Sequence, residues 1–286
     1  MSDMMYGKII VIADVTQSGS TVSFVSGSTT LTATVGADGT VEMILPALKR
    51  WTVTLDGFSS AVDLGCGECH AVDLAKDKTT WKGIQNILDA HLETSLLDIG
   101  DELTTMIGGT QYTYQIGAID LYESHEVIFV PKTCIGTRQH HTSNTNAGGW
   151  AQSDIRTYLN GTFKDGLEDD IRNNLKEIEF KSSAGGQSTA ITTTTDKIWL
   201  PREYEIFGTT NYAANTEAQY CRQYPIFATQ NQRIRTNNGV ASHWWEASAD
   251  VSYSTHFCFV YADGSANDTL ASYSRGLVPC FRFTAD

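Results

Sequence analysis

The N-terminal quarter of the chain alternates. Residues 8–13, 21–26, 31–35, 41–45 and 51–55 are rich in Val, Ile and Thr, and several place apolar and polar residues in turn, the pattern of half-buried strands. Ser18-Gly19, Gly27-Ser28 and Ala37-Asp38-Gly39 lie between them and suit tight turns. Strands at this short, regular spacing predict a small antiparallel sandwich. The period then changes. Over 79–92, Trp81, Ile84, Ile87, Leu88 and Leu92 fall on one helical face, with Thr79 or Thr80 able to cap the start. Strand character returns at 112–121 and 126–130. Two amphipathic helices are predicted at 150–163, striped by Ile155, Leu159 and Phe163, and at 167–175, striped by Leu167, Ile171 and Leu175. The Ser/Gly/Thr-rich stretch 182–195 reads as a polar loop, order resumes at 197–201, and short strands fill the remainder.

Sorted by these changes of pattern, the fold class is α+β: a β-sandwich over 1–75, a helical connector over 76–108 and a second domain over 109–286. The length of 286 residues suits more than one core, and 41% hydrophobic residues exclude wholesale disorder. Apolar runs such as Ile9-Ile10-Val11-Ile12-Ala13 are too short for a membrane span, so no membrane insertion is expected. The first eight residues lack the basic start, apolar stretch and small-residue cleavage site of a signal peptide. A net charge of −13 argues against nucleic acid or an anionic membrane surface as the main partner. Six cysteines are too sparse for a disulfide-stapled scaffold and fit reduced thiols.

Little of the chain carries catalytic or cofactor chemistry. Cys66-Gly67-Glu68-Cys69-His70 matches the haem-attachment pattern, yet attachment needs export, and zinc would lack a fourth ligand. The simpler reading is a turn with two reduced thiols. His140-His141 sits in a Thr/Asn/Gly-rich segment and reads as an exposed loop, and Asp169-Asp170 as a solvated helix face. No phosphate-binding glycine loop and no nucleophile elbow occur. The expectation is therefore a protein that is not an enzyme, without cofactor or metal.

Two resemblances add to this reading. Thr30-Leu31-Thr32-Ala33-Thr34, Asp38-Gly39, Val41-Glu42-Met43-Ile44-Leu45-Pro46 and Trp51-Thr52-Val53 resemble immunoglobulin-like or prealbumin-like modules of phage tail proteins. Gly148-Gly149-Trp150, Ser153 to Asn160 and Asp196 to Gly208 are followed by His243-Trp244-Trp245-Glu246 and by Gly276-Leu277-Val278-Pro279-Cys280-Phe281. These blocks, over roughly residues 110–286, are similar to a gut-phage and Firmicutes domain of unknown function related to the C-type lectin fold.

Within that domain, residues 244–281 resemble the variable region of a diversity-generating retroelement target protein. Such regions are copied from a template with errors at adenines, and their AAC asparagine codons are interleaved with constant residues. The constant-looking set here is Ser252, Ser254, Phe257, Cys258, Val260, Gly264, Ala266, Ala271, Ser272, Ser274, Gly276, Pro279 and Cys280. Between them lie fourteen candidate ligand-binding positions: Asp250, Tyr253, Thr255, His256, Phe259, Tyr261, Asp263, Ser265, Asn267, Asp268, Thr269, Leu270, Tyr273 and Arg275. Randomised adenines in AAC yield NNC codons, which cannot encode Lys, Glu, Gln, Met or Trp. None of these occurs at the fourteen positions, an absence expected by chance about once in twenty when such residues make up about a fifth of ordinary composition. Tyrosines for contact area, mixed with Ser, Asn, Thr and Asp for adaptable hydrogen bonding, are also the composition of antibody paratopes. Trp244 and Trp245 read instead as core anchors.

What the resemblance implies is a hypervariable ligand-binding protein, similar in role to phage tail receptor-binding proteins of the major tropism determinant type. Its partner would be a protein or glycan receptor on a cell surface. The N-terminal sandwich would attach it to a phage tail or other particle assembled in the host cytoplasm, or alternatively place it at a bacterial cell surface. Related tail proteins are often homotrimers, although no coiled-coil heptad enforces one here. Two alternatives are a non-diversified decoration protein that binds carbohydrate, and a formylglycine-generating-type oxidase using Cys258 and Cys280.

Overall fold

The computed structural model of the protein describes residues 6–75 and 77–286. Residues 1–5, on which most of the leader reading rests, and Lys76 lie outside the described residues. The protein is a β-rich α+β molecule divided into two units. One comprises the chain up to Leu96 together with Ala285 and Asp286, and the other spans Leu97–Thr284.

The first unit holds strands β1 (Tyr6–Ile12), β2 (Thr21–Ser26), β3 (Thr29–Thr34), β4 (Thr40–Pro46), β5 (Lys49–Leu55), β6 (Phe58–Leu64) and β7 (Cys69–Asp73). They form a three-stranded sheet in the order β4-β1-β7 and a four-stranded sheet in the order β3-β2-β5-β6. Burial alternates along β1, β2 and β5 as the period of two requires. Ile9, Val11, Val22, Phe24, Trp51 and Val53 are fully buried in this unit's core. One pairing departs from an all-antiparallel sandwich: β1 runs parallel to β7. Helix α1 (Trp81–Asp89) is capped by Thr80, whose hydroxyl accepts the Gly83 N–H at 3.0 Å. It buries Trp81, Ile84, Ile87 and Leu88, and Asn86 ties it to the end of β7 through the carbonyl of Ala75. A single turn, α2 (Glu93–Leu96), follows. The expected helical connector over 76–108 is therefore not one piece: its helices belong to the first unit and its last residues form a strand of the second.

The second unit begins with β8 (Glu102–Ile107), β9 (Thr110–Ile119), β10 (Glu126–Pro131) and β11 (Thr137–Gln139). After α3 (Asp154–Tyr158) and α4 (Asp169–Arg172) come β12 (Ile178–Ser183), β13 (Ile191–Asp196), β14 (Ile198–Trp199), α5 (Glu203–Phe207), α6 (Asn215–Ala218) and α7 (Gln230–Arg233). The chain ends through β15 (Arg235–Asn237), β16 (Val240–Ser242), β17 (Trp244–Ala249), β18 (His256–Val260), β19 (Ala266–Leu270), β20 (Ser274–Gly276) and β21 (Cys280–Thr284). Two five-stranded sheets dominate, ordered β14-β21-β10-β9-β8 and β11-β20-β17-β18-β19. In the first, the last strand of the chain is interior. Phe281 and Phe283 of β21 meet Phe129 of β10 with ring centroids 5.2 and 5.1 Å apart, and Arg282 reaches the buried Glu126 at 2.7 Å.

Three expectations need correction here. The helix expected at 150–163 is interrupted by a wide turn at Leu159–Phe163, where Gly161 leaves helical dihedrals. Asn160 uses its side chain on the neighbouring strand instead, donating to Ile198 O and accepting from the N–H groups of Lys197 and Ile198. The helix expected at 167–175 shrinks to the single turn α4. The apolar stripe survives both breaks: Ile155, Leu159, Phe163, Leu167, Ile171 and Leu175 are all buried. Third, the expected loop over 182–195 holds only at 184–190; 182–183 and 191–195 belong to the hairpin β12–β13, because a run of β-branched threonines suits an extended strand better than a loop.

Candidate ligand-binding face

The platform is built from the centre of the second sheet outward. All six residues of β17 are buried, and Trp244 and Trp245 are fully so. Their indole N–H groups donate to Arg233 O at 3.0 Å and Arg138 O at 2.8 Å, which satisfies the polar tip that a buried Trp carries. Phe257 of β18 lies flat on His140, with ring centroids 3.5 Å apart. His140 is thus fully buried, not in an exposed loop as expected. Its Nε2–H donates to Glu246 O at 3.0 Å, and burial pulls its pKa down to about 3, so the ring is neutral across the physiological range.

On this base stands the hairpin β18–β19, with β19 at the sheet edge. Its register pairs His256 with Leu270, Cys258 with Asp268 and Val260 with Ala266, alternating with Phe257–Thr269 and Phe259–Asn267. Side chains of successive residues point to opposite faces, so the candidate positions divide between two faces. On one, Phe259 carries Tyr261 at 5.3 Å and the Arg275 guanidinium at 5.3 Å; His243 meets the Tyr261 ring at 4.6 Å and Arg275 lies 5.5 Å from Tyr273. On the other, His256 Nδ1 lies 2.6 Å from the Asp268 carboxylate and the Tyr253 ring lies 4.9 Å from that of His256.

Tyr253, Tyr261 and Tyr273 are 57%, 40% and 47% exposed, so their rings are available to a second molecule. Asp263 is exposed, and Thr255, His256, Ser265, Asn267, Asp268, Thr269, Leu270 and Arg275 are half-buried. Asp250 and Phe259 need correction as contact positions, since both are buried. The Asp250 carboxylate instead accepts the N–H groups of Ser252 and Tyr253 at 2.5 and 2.7 Å, folding the loop. Phe259 is the floor beneath Tyr261 and Arg275. Of the constant-looking set, Phe257, Cys258, Val260, Gly264, Ala271, Gly276, Pro279 and Cys280 are buried, whereas Ser252, Ser254 and Ser274 are exposed.

The turn joining the two strands needs a glycine. Gly264 has φ +84°, and a Cβ there would sit 2.3 Å from Gln230 O. Asp263 accepts from the N–H and hydroxyl of Ser265, which hold its carboxyl below the usual range. Gln230, Phe207, Arg233 and Tyr212 meet this turn in a shallow cleft of about 380 Å³. Residues outside the expected set hold the other loop. The buried Asn146 amide reaches the carbonyls of Asp250, Tyr253 and His256 at 2.7–3.0 Å, and Gln187 donates to Ser252 O at 2.7 Å. No spacing or motif in the chain marks either residue for this task.

Elsewhere, Cys66 and Cys69 are exposed free thiols at the start of β7. The Glu68 carboxylate between them contacts His70 at 2.9 Å and accepts the Gly65 N–H at 2.7 Å, interactions that keep its carboxyl below the ordinary range. Cys258 and Cys280 are fully buried, and burial pushes both thiols well above their ordinary value. No helix among the described residues is long and apolar enough to cross a membrane.

A β-rich two-unit protein with an aromatic, polar edge surface on its second unit is the class these features define. The chain belongs to the family described as Domain of unknown function (DUF6273), whose model matches residues 124–284. No curated protein matches the chain. Among solved structures it is similar to the Bacillus anthracis TIE protein at 10% identity and a TM-score of 0.20, over 44% of this chain and 28% of that one. A likeness of that size assigns neither fold nor function, and the chain spans well under half of that protein's length.

Proposed function

We propose that this protein is a ligand-binding protein whose second unit, a C-type lectin-like domain, displays a retroelement-diversified surface around β18–β19. The observation that carries the reading is the division of residues 244–275. Tyr253, Tyr261 and Tyr273 stand well exposed, while Trp244, Trp245, Phe257 and Val260 form a fully buried base. Substitutions at exposed positions usually change stability by under about 0.5 kcal/mol, and core ones by several times that, so such a surface can vary without unfolding its support. Clustered tyrosines supply contact area at low rotamer cost and dominate many interfaces. The ligand class is a protein or glycan receptor on a cell surface, and the first unit attaches the protein to a phage tail or similar particle.

Deep sequencing of the coding segment in its native population tests this directly. Substitutions should concentrate at the fourteen positions named above, with Asp250 and Phe259 the least tolerant of them. Comparable diversity at Phe257, Gly264 or Pro279 would remove the retroelement reading.

A further inference from the structure

On the face of β18 that also carries His256, three side chains converge without any linking motif in the sequence. One ligand atom each from Glu203, Glu246 and Cys258 lies within 4.8 Å of the others, and all three residues are buried. Glu203, the first residue of α5, is already satisfied: its carboxylate accepts the N–H groups of Asn211, Tyr212 and Ala213 at 2.8–3.1 Å. Nearby Glu217 is likewise held, by the Ser248 hydroxyl and the Ser183 N–H. Glu246 differs. It is fully buried in β17, and neither of its carboxylate oxygens has a hydrogen-bond partner.

A buried carboxylate without a partner costs far more than a paired one. The Glu246 charge is therefore left without any hydrogen-bonded counterpart. A cation cancels it and also gives Glu246, Glu203 and Cys258 a common ligand. We infer that Glu203, Glu246 and Cys258 supply three ligands of a buried site for one thiolate-tolerant divalent metal ion of the zinc class, with a water in the fourth position. The sulfur decides the class: calcium and magnesium take oxygen ligands, whereas zinc accepts carboxylate oxygen at roughly 2.0–2.2 Å and thiolate sulfur at roughly 2.3 Å. On binding, the Cys258 S–H would release its proton to solvent, so that two carboxylates and a thiolate face the dication. The ion would lock the start of α5 to β17 and β18. This inference runs against the expectation of a metal-free chain, and it does not depend on the display reading.

The site is enclosed, so metal must enter as the chain folds. The full chain is therefore refolded with zinc alone, and bound metal is measured after gel filtration. One zinc per chain is expected, with loss in Glu246→Gln and in Cys258→Ser and retention in the Cys66→Ser/Cys69→Ser double variant. Cobalt refolded in place of zinc should give a thiolate-to-cobalt charge-transfer absorption that Cys258→Ser abolishes. At a hundredfold excess of zinc over its dissociation constant, the melting midpoint should rise by about 5–10 °C. Three results would each overturn the assignment: no zinc after refolding, zinc lost with Cys66 and Cys69 but kept without Cys258, or stabilisation by calcium and not by zinc.

Discussion

β17 and β19 belong to one sheet, separated by β18, yet every residue of β17 is buried and every residue of β19 is half-exposed. Neither shows the period-two alternation of a strand with one wet face. β17 lies between β20 and β18, with covering chain on both sides, so even Glu246 and Ser248 are fully enclosed. β19 has a neighbour on one edge only, and its Asn, Asp and Thr side chains suit the solvent. Place in the sheet, more than the intrinsic preference of the residues, sets the tolerance of each strand to change.

The largest test of this contrast is Trp245→Ala, which should cost roughly 3–5 kcal/mol by cavity formation; a denaturant titration reads it. A cost below about 1 kcal/mol would remove the distinction between buried centre and exposed edge. Next comes acid. His140 is protonated more readily in the unfolded chain, at its ordinary value, than in the fold, where the value is about 3. Its contribution is therefore intact above about pH 6.5 and is lost as the pH falls toward 3, on the order of 1 kcal/mol per unit. Glu217, raised to about 6, works in the opposite direction, since the fold takes up its proton before the unfolded chain does. The informative quantity is thus the difference between melting curves of the wild type and His140→Phe, which should narrow in acid. A difference independent of pH would place His140 in contact with water.

Asn146→Ala removes the amide that holds three carbonyls of the 250–256 loop and should cost about 1–3 kcal/mol. Faster proteolysis within that loop, with cleavage elsewhere unchanged, would accompany it. The smallest effects belong to the edge. Thr269→Ala, and Tyr261→Ala with Tyr273→Ala, should each move stability by about 0.5 kcal/mol or less per site. A melting curve showing more than about 2 kcal/mol lost from either would place those side chains in the core.

Periodic segments were legible in the sequence where one face met the core. The β1, β2 and β5 alternation, the α1 face and the stripe from Ile155 to Leu175 all appear as buried positions. The integrity of the helices carrying that stripe was not legible, because Asn160 is diverted to Lys197 and Ile198, distant in sequence. Local pattern misplaces His140 and Phe259 for a related reason: a histidine among polar residues and a phenylalanine beside exposed ones take their environment from β17 and β18, which that pattern does not encode. Asn146 and Gln230 act through contacts over 30 residues away, and Glu246 stands in a tryptophan-led run that gave no hint of a buried acid.

The interior position of β21 has a consequence for how the chain is made. β21 lies between β14 and β10, bonding to residues about 155 positions earlier through pairs such as Glu126–Thr284. A ribosome must therefore deliver the chain through Thr284 before this sheet can close. Any product broken off or frameshifted within the hairpin segment lacks the strand that completes the sheet, and it stays open to proteolysis. Synthesis itself becomes a proofreading step: only copies read through in frame to β21 yield a folded unit.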